Sequence, residues 1–579
     1  MPNSTTFVRW CNKCNVPLLG NKCDTCGSNG IFIKVRKPAD IRPVFDEERK
    51  TILRTLDKQY GSGAGKKVLY DNHLILANKI FYIDQAYEII SDGKIIGHFF
   101  FDVYDYDWVF KPIEYGCFRI FKNLNLGILR ENTKVKEEFE TDDSNFSLEM
   151  KYLPIYNEKG IYGVAQILSK KRAKTIKIFS PISGEEETKP SNLEDALNAN
   201  LEYIRRKESK AVAFIYKIST RVKKPVCVSY SGGKDSLATL LLVLKAGIKP
   251  KVSFTNTGIE LPETVENVNE VVKKFNLELL TSDAEERFWR GLAVFGLPSR
   301  DYRWCCKVVK LIPTARLYKK EFPEGSLTFV GQRALESRSR ARTGSVWKNY
   351  WIPKSISASP INDWSMLTVW LYLLYKEAFN LVNKAYFYGF DRIGCYLCPS
   401  CSIGDYLFVK EKHPELWKKY EKELMSRFLD EASPFVKYHL WRWKKIPNKI
   451  KKVVGDVRSN YSKAYLIKKN EKTIEVNVNK EIDEGKLKEF LKTLNNFEKP
   501  DILSKDKDRV LFELKDKKER DIVSVVLRAA YCQECRSCEL WCPSKAISFD
   551  QEGKIHVDET KCIKCKVCME KCPVVEFIL

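Results

Sequence analysis

No stretch of this chain approaches the 18 or more uncharged apolar residues that a membrane helix needs; the nearest candidates, 237–244 and 369–374, have the length of helix cores. Low-complexity tracts are also missing. The opening residues, MPNSTTFVRWCNKC, hold no hydrophobic leader, so the expectation is a cytoplasmic protein without a membrane partner. With 44% hydrophobic and 30% charged residues, a wholly disordered or fibrous chain is excluded. At roughly 100 to 200 residues per domain, 579 residues imply about three to five domains.

What is abundant is cysteine, with 19 residues, and positive charge, with 99 Lys and Arg against 75 Asp and Glu. In a large chain, Cys-x-x-Cys spacings point to metal or redox chemistry rather than to disulfides. All but Cys117, Cys227 and Cys401 fall into clusters. The formal charge of +24 overstates the basicity, because four tetrathiolate sites at about −2 each would leave about +16. That still favours a polyanionic partner, RNA or a phosphorylated nucleotide, against the alternative of an interspersed Lys/Glu surface.

The chain divides by pattern. Residues 1–34 are too short for an apolar core and carry four cysteines. Residues 35–65 read as a helical linker closed by Gly61-Ser62-Gly63-Ala64-Gly65. From 66 to 190, short β-branched and aromatic runs between turns suggest a β-rich domain. Within it, KGIYGVAQIL followed by SKKRAKTIKI resembles a degenerate PUA-like RNA-binding domain, a generic small barrel being the alternative. Residues 191–440 alternate strand and helix signals, the mark of a doubly wound α/β fold. A basic linker and small α+β module occupy 441–521, and residues 522–579 hold eight cysteines.

At the C-terminus Cys-x2-Cys-x2-Cys-x3-Cys-Pro occurs twice. Three close thiolates bind three corners of a cubane, while the cysteine before proline crosses to the other cluster. One 4Fe-4S cluster is thus expected on Cys532, Cys535, Cys538 and Cys572, the other on Cys562, Cys565, Cys568 and Cys542. The segment resembles the bacterial two-cluster ferredoxin. Near the start, Cys11, Cys14, Cys23 and Cys26 have zinc-ribbon spacing, a closed structural tetrahedron, with a rubredoxin-type iron site as the alternative.

In the middle, SYSGGKDSLATLLL sets a glycine-rich turn between a strand and a helix. Gly232 and Gly233 let the backbone approach an anion, and the helix start and Lys234 supply positive potential. Ser231, Gly232, Gly233, Lys234 and Ser236 therefore read as phosphate contacts, and Asp235 as a Mg2+-side group. An ordinary capped turn is the bland reading. This motif, with FTNTGIELPET, RWCCKVVKLIP, GQRALESRSR, SPINDWSMLTVWLYL and GCYLCP in that order, resembles the phosphoadenylyl sulfate (PAPS) reductase family of the PP-loop ATP pyrophosphatase superfamily over about residues 195–430. The resemblance implies an adenine nucleotide α-hydrolase-like core with the nucleotide at the carboxyl ends of the strands. It also implies that Asn256, Thr257 and Gly258 lie near the nucleoside, that Gly331 and Arg333 complete the nucleotide set, and that Glu336 and Arg340 join Arg333 at the phosphate or sulfonyl end. Surface-helix charges are the alternative for the last three.

Cys305 and Cys306 with Cys395 and Cys398 are similar to the 4Fe-4S ligands of adenylyl sulfate reductases, a structural zinc site being the alternative; Cys401 extends the second arm and competes as a ligand. The chain departs from the family in lacking a Glu-Cys-Gly-type segment whose thiolate attacks sulfur. Lys234, Asp235, Arg333 and Cys401 are left as candidates to carry the chemistry. Three functions follow: ATP-dependent, adenylating sulfur transfer to a substrate such as tRNA, with electrons from the built-in clusters; reduction of adenylyl sulfate or PAPS to sulfite; or a non-catalytic iron-sulfur RNA-binding or electron-transfer protein. The electron donor and oligomeric state are not disclosed by the residues.

Overall fold

The computed structural model describes residues 5–141, 147–352, 354–428, 434–454, 464–495, 500–513 and 519–579. At the start, strand Thr5–Cys11 pairs antiparallel with Val16–Leu18 and Ile31–Arg36. This small sheet does not stand alone. Asn200 donates to the Pro17 carbonyl at 2.8 Å and accepts from the Leu19 amide at 2.6 Å, fastening the sheet to the chain that enters the α/β core.

Two five-stranded sheets follow. The first is an antiparallel meander from Arg42–Pro43 through Ile75–Lys79, Ala86–Ser91 and Lys94–Asp102 to Asp107–Pro112. The second has Gly160–Ser169 between Tyr152–Asn157 and Arg172–Ile182. The stretch expected to be a linker is different in the structure: helix Asp46–Tyr60 buries Ile52, Leu56 and Tyr60 in the core shared by both sheets. These positions recur every four residues, so a helix of low mean hydropathy still presents one apolar stripe. In the basic run, Arg172 and Lys174 pair with Glu138, and Lys177 with Glu114, which offsets part of its charge.

The α/β core is a six-stranded sheet in the order Leu279–Asp283, Lys251–Asn256, Val226–Ser229, Leu327–Val330, Ile356–Ala358, Val346–Lys348. The first five are parallel and the last is antiparallel. Chain order reverses beside Val226–Ser229, and in such open sheets ligands bind outside the carboxyl ends of the strands at that point. Helix Lys234–Lys245 is apolar nearly all round because Leu237, Leu240, Leu242 and Val243 are all buried.

Past the core, an antiparallel sheet, Tyr465–Lys469, Thr473–Val478, Arg509–Glu513 and Ile502–Lys505, packs on helices Glu484–Leu491 and Glu519–Tyr531. Ile474, Phe490, Val526 and Met569 belong to one continuous apolar cluster with Phe288 and Trp304 of the α/β core, so the cysteine-rich end is docked rather than tethered. Among the described residues no helix is long and apolar enough to cross a membrane.

Candidate active site and metal centres

The Ser231–Ser236 turn starts where strand Val226–Ser229 ends. Gly232 has φ +71°, and a Cβ there would lie 3.0 Å from Thr264 Cγ2, so both conformation and space ask for glycine. Gly233 caps helix Lys234–Lys245 without any side-chain cap; the Lys234 amide donates to the Tyr386 hydroxyl at 3.3 Å, and the next amides of the first turn face the position of an anion. Ser236 Oγ donates to the Gly233 carbonyl at 2.7 Å and accepts from the Ser231 amide at 3.3 Å. Ser236 thus shapes the turn from inside.

The charged residues are placed differently from the sequence-based expectation. Lys234 Nζ lies 2.8 Å from Asp235 Oδ2, and Arg333 Nε lies 2.7 Å from Asp235 Oδ1. Both oxygens of Asp235, expected as a Mg2+-side group, are engaged by buried cations. Burial works against its charge, but Lys234 and Arg333 outweigh it and hold its carboxyl below the usual range. Arg333 is fully buried and donates from Nη1 to Asp40 at 2.7 Å, while Asp40 also accepts from the Met366 amide at 2.5 Å. Two cations and two carboxylates therefore balance. Net attraction for phosphate is left to the helix-start amides and to cations outside this group. Gly331 is a packing glycine: a Cβ would lie 2.5 Å from the backbone of Asp235 and Ser236. Glu336 accepts from the Arg333 amide at 3.1 Å and pairs with Arg340, so it closes a turn rather than facing open space.

On the neighbouring strand end, Asn256 donates to Asp283 at 3.0 Å and accepts from the Gly258 amide at 3.1 Å. Gly258 has φ +75° and would strike the Glu285 carbonyl at 2.5 Å if it carried a Cβ. The loop that follows joins two centres. Its Thr264 faces Gly232, whereas Thr257 Oγ1 lies 3.4 Å from Cys395 Sγ and Glu260 bridges Cys395 through the backbone. The Tyr396 amide donates to the Ile259 carbonyl at 3.0 Å, pinning the Cys395–Cys398 turn to the same strand edge.

Cys305, Cys306, Cys395 and Cys398 lie within electrostatic reach of one another. Cys306 hydrogen-bonds to Cys305 and, with burial and the charges of Cys395 and Cys398, drives that thiol well above its usual range. Cys401 stands against Cys398, and its carbonyl accepts from Arg442 Nη1 at 2.7 Å and Arg300 Nη2 at 3.0 Å. Its thiol, a sequence candidate for the chemistry, is raised first by Cys398, then by burial. Arg392, missed in the sequence, is exposed; its charge bears both on Arg340 and on Cys398. Its place three residues before Cys395 was the available signal.

The metal groupings can be tested by spacing. A tetrahedral zinc with Zn–S near 2.3 Å needs sulfurs about 3.8 Å apart. Cys11 and Cys26 are 3.4 Å apart and Cys14 and Cys23 3.8 Å, so the N-terminal set fits zinc. Among the described residues it is the single group of three or more Cys, His, Asp or Glu whose ligand atoms all lie within 4.8 Å of one another. In no other cysteine set do three ligand atoms lie within 4.8 Å of one another, although Cys305 and Cys306 are in hydrogen-bond contact. Cys532, Cys535, Cys538 and Cys572 line one pocket, and Cys542, Cys562, Cys565 and Cys568 line another. Arg528, 1% exposed, lines the first, its guanidinium 3.9 Å from the Phe490 ring centroid and within reach of the Cys568, Cys572 and Cys538 thiolates, with no carboxylate against it among the described residues. A buried guanidinium facing thiolates fits an anionic cluster. It too escaped the sequence reading, although an arginine in the apolar run DIVSVVLRAAY is conspicuous.

Cradle, thiolate sites and docked C-terminal module define an iron-sulfur PP-loop enzyme. The phosphoadenosine phosphosulfate reductase domain family matches residues 225–401, and the 4Fe-4S dicluster domain family matches residues 531–575. Uncharacterized protein MJ0066 of Methanocaldococcus jannaschii is 34% identical over 469 residues, covering 76% of this chain and 96% of its own. Adenosine 5'-phosphosulfate reductase of Bacillus cereus is 25% identical over 186 residues, or 32% of this chain and 76% of that one. The solved phosphoadenylyl-sulfate reductase of Candida auris, a phosphate complex, aligns at 18% identity and a TM-score of 0.27, covering 34% of this chain and 94% of that one. The chain belongs to the phosphoadenosine phosphosulfate reductase family, with a 4Fe-4S dicluster ferredoxin domain at its C-terminal end.

Proposed function

We propose that the chain carries out ATP-dependent sulfur transfer. An acceptor oxygen attacks the α-phosphorus of ATP, the α–β bond breaks, pyrophosphate leaves, and sulfur then replaces oxygen as AMP departs. The observation that carries this reading is the segment 257–264, a loop running into the first turn of helix Pro262–Lys274, which packs on the cradle turn through Thr264 and reaches the thiolate site through Thr257 and Glu260. Phosphate chemistry and sulfur chemistry thus share one edge of the sheet.

In this reading the helix-start amides and the exposed Arg392 orient the phosphates, while Lys234 and Arg333 hold Asp235 and keep the turn in shape. Asn256, Thr257 and Gly258 border the nucleoside. Cys305, Cys306, Cys395 and Cys398, with Arg303, Arg392 and Lys310 acting on their thiolates, are read as holding a 4Fe-4S cluster rather than zinc because no three of their sulfurs gather within 4.8 Å of one another. Such a cluster, when bound, supplies electrons and a place for sulfide. The acceptor is an RNA, tRNA in the first instance, a reading that rests on the basic surface, about +16 of the formal +24 once the thiolate sites are counted.

The test is pyrophosphate release from ATP that depends on added tRNA, with AMP formed in equal amount and sulfur found in the RNA. Sulfite appearing instead from adenylyl sulfate or PAPS with reduced viologen would replace this reading by sulfonucleotide reduction. That second reading is favoured by the docking of the ferredoxin end beside Cys306.

A further inference from the structure

Two buried cations stand between the three cysteine sites. Lys307 follows Cys306 directly, its side chain is 4% exposed, and its ammonium pairs with Glu576. Glu576 lies in helix Pro573–Ile578, which begins immediately after Cys572. One ion pair therefore joins the segment of a core thiolate to that of a ferredoxin thiolate. The contact is broad. Lys319 donates to the Leu540 carbonyl at 2.8 Å, two residues beyond Cys538, and Phe577 meets the Tyr302 ring at 5.6 Å. Phe295 of the α/β core lines the same cavity as Cys532, Cys535, Cys538 and Cys572. The other ferredoxin cavity is lined by residues from 493 to 568, none from the α/β core. At its rim Cys565 is exposed and Ile563 is 65% exposed. Arg528 lies between the two ferredoxin sites, within reach of Cys568 on one and of Cys572 and Cys538 on the other.

We infer that electrons follow a single line through this protein: in at the outer site of Cys542, Cys562, Cys565 and Cys568, on to the inner site of Cys532, Cys535, Cys538 and Cys572, and out across the Lys307–Glu576 contact to Cys305, Cys306, Cys395 and Cys398. The inference rests on the reading of the last four as a cluster site. In each hop one electron moves: the donating site is oxidised by one unit and the receiving site reduced by one, and no proton or leaving group moves. The reductant is a low-potential one-electron carrier that meets the exposed rim at Cys565. Arg528 and Lys307 favour the reduced, more negative state of the sites they adjoin, which keeps electrons in the chain at each gap.

The experiment uses the full chain, loaded with iron and sulfide anaerobically and reduced with dithionite, with electron paramagnetic resonance as readout. Removing the inner site with Cys535→Ala and Cys538→Ala is expected to sharpen the core-site signal by abolishing its magnetic coupling. Removing the outer site with Cys562→Ala and Cys565→Ala is expected to leave that signal broad. In redox titrations, Lys307→Met lowers the midpoint potentials of the inner and core sites, Glu576→Gln raises them, and neither moves the outer site. A core signal blind to loss of the inner site, or Lys307→Met moving the outer site, overturns the route. Iron missing from the core site sinks the sulfur-transfer reading and the route together; iron present but uncoupled to the inner site sinks the route alone.

Discussion

Asp40→Ala perturbs the cradle from outside every motif. Asp40 accepts two charge-assisted hydrogen bonds, from Arg333 Nη1 at 2.7 Å and from the Met366 amide at 2.5 Å, and it is 6% exposed. Hydrogen bonds to charged groups contribute about 1.5–3 kcal/mol each. Breaking a buried pair by removing one partner costs about 3–5 kcal/mol because the other charge is stranded. Arg333 keeps Asp235, and its Nη2 already lacks a partner, so there is no spare acceptor to absorb the change. With about 3–5 kcal/mol lost from a domain of this size, the calorimetric transition of the α/β core should fall by roughly 6–20 °C. The freed guanidinium should pull on Asp235 and weaken binding of a non-hydrolysable ATP analogue, measured by titration calorimetry. Asp40→Asn keeps an acceptor and should fall between wild type and Asp40→Ala. A transition within about 0.5 kcal/mol of wild type, the range of ordinary surface changes, would refute the idea that Asp40 holds the cradle.

Metal analysis of anaerobically purified chain should find about twelve irons and one zinc, from three cubanes and one ribbon; eight irons with two zincs would make the core site structural. Gly331→Ala drives a Cβ to 2.5 Å from the Asp235 backbone and should destabilise the core by about 1–3 kcal/mol while lowering nucleotide affinity, and wild-type melting would contradict this. Burial opposes the charge on Asp92, yet Arg119, His73 and Asn15 overcome it and hold its carboxyl far below the usual range. A depressed folded value means stability that is complete above about pH 4 and is lost as pH falls below it. The β-rich region of Asp92→Asn should therefore lose stability at neutral pH and show a flatter acid limb, followed by near-ultraviolet circular dichroism against pH.

The residues themselves determine the family, the doubly wound core and the presence of a dicluster ferredoxin domain. They can do so because each signal is local: thiolates two residues apart are bound to meet at one metal centre, and a glycine turn between a strand and a helix carries its own backbone geometry. The helical character of Asp46–Tyr60 is legible in the residues, but its packing is not, because its apolar stripe is narrow and the sheet it covers lies later in the chain.

What the tertiary structure alone decided are the long-range pairings. Arg333 meets Asp40 from 293 residues away, Arg42 meets Asp391 from 349, and Lys307 meets Glu576 from 269. No spacing rule reaches that far, since any of 99 basic residues could pair with any of 75 acidic ones until packing selects the partner. That selection gives Asp235 its two cationic partners and sets which ferredoxin site adjoins the core. Cofactor chemistry is written in ligand type and spacing along the chain; charge balance and site order are properties of a surface buried only after folding.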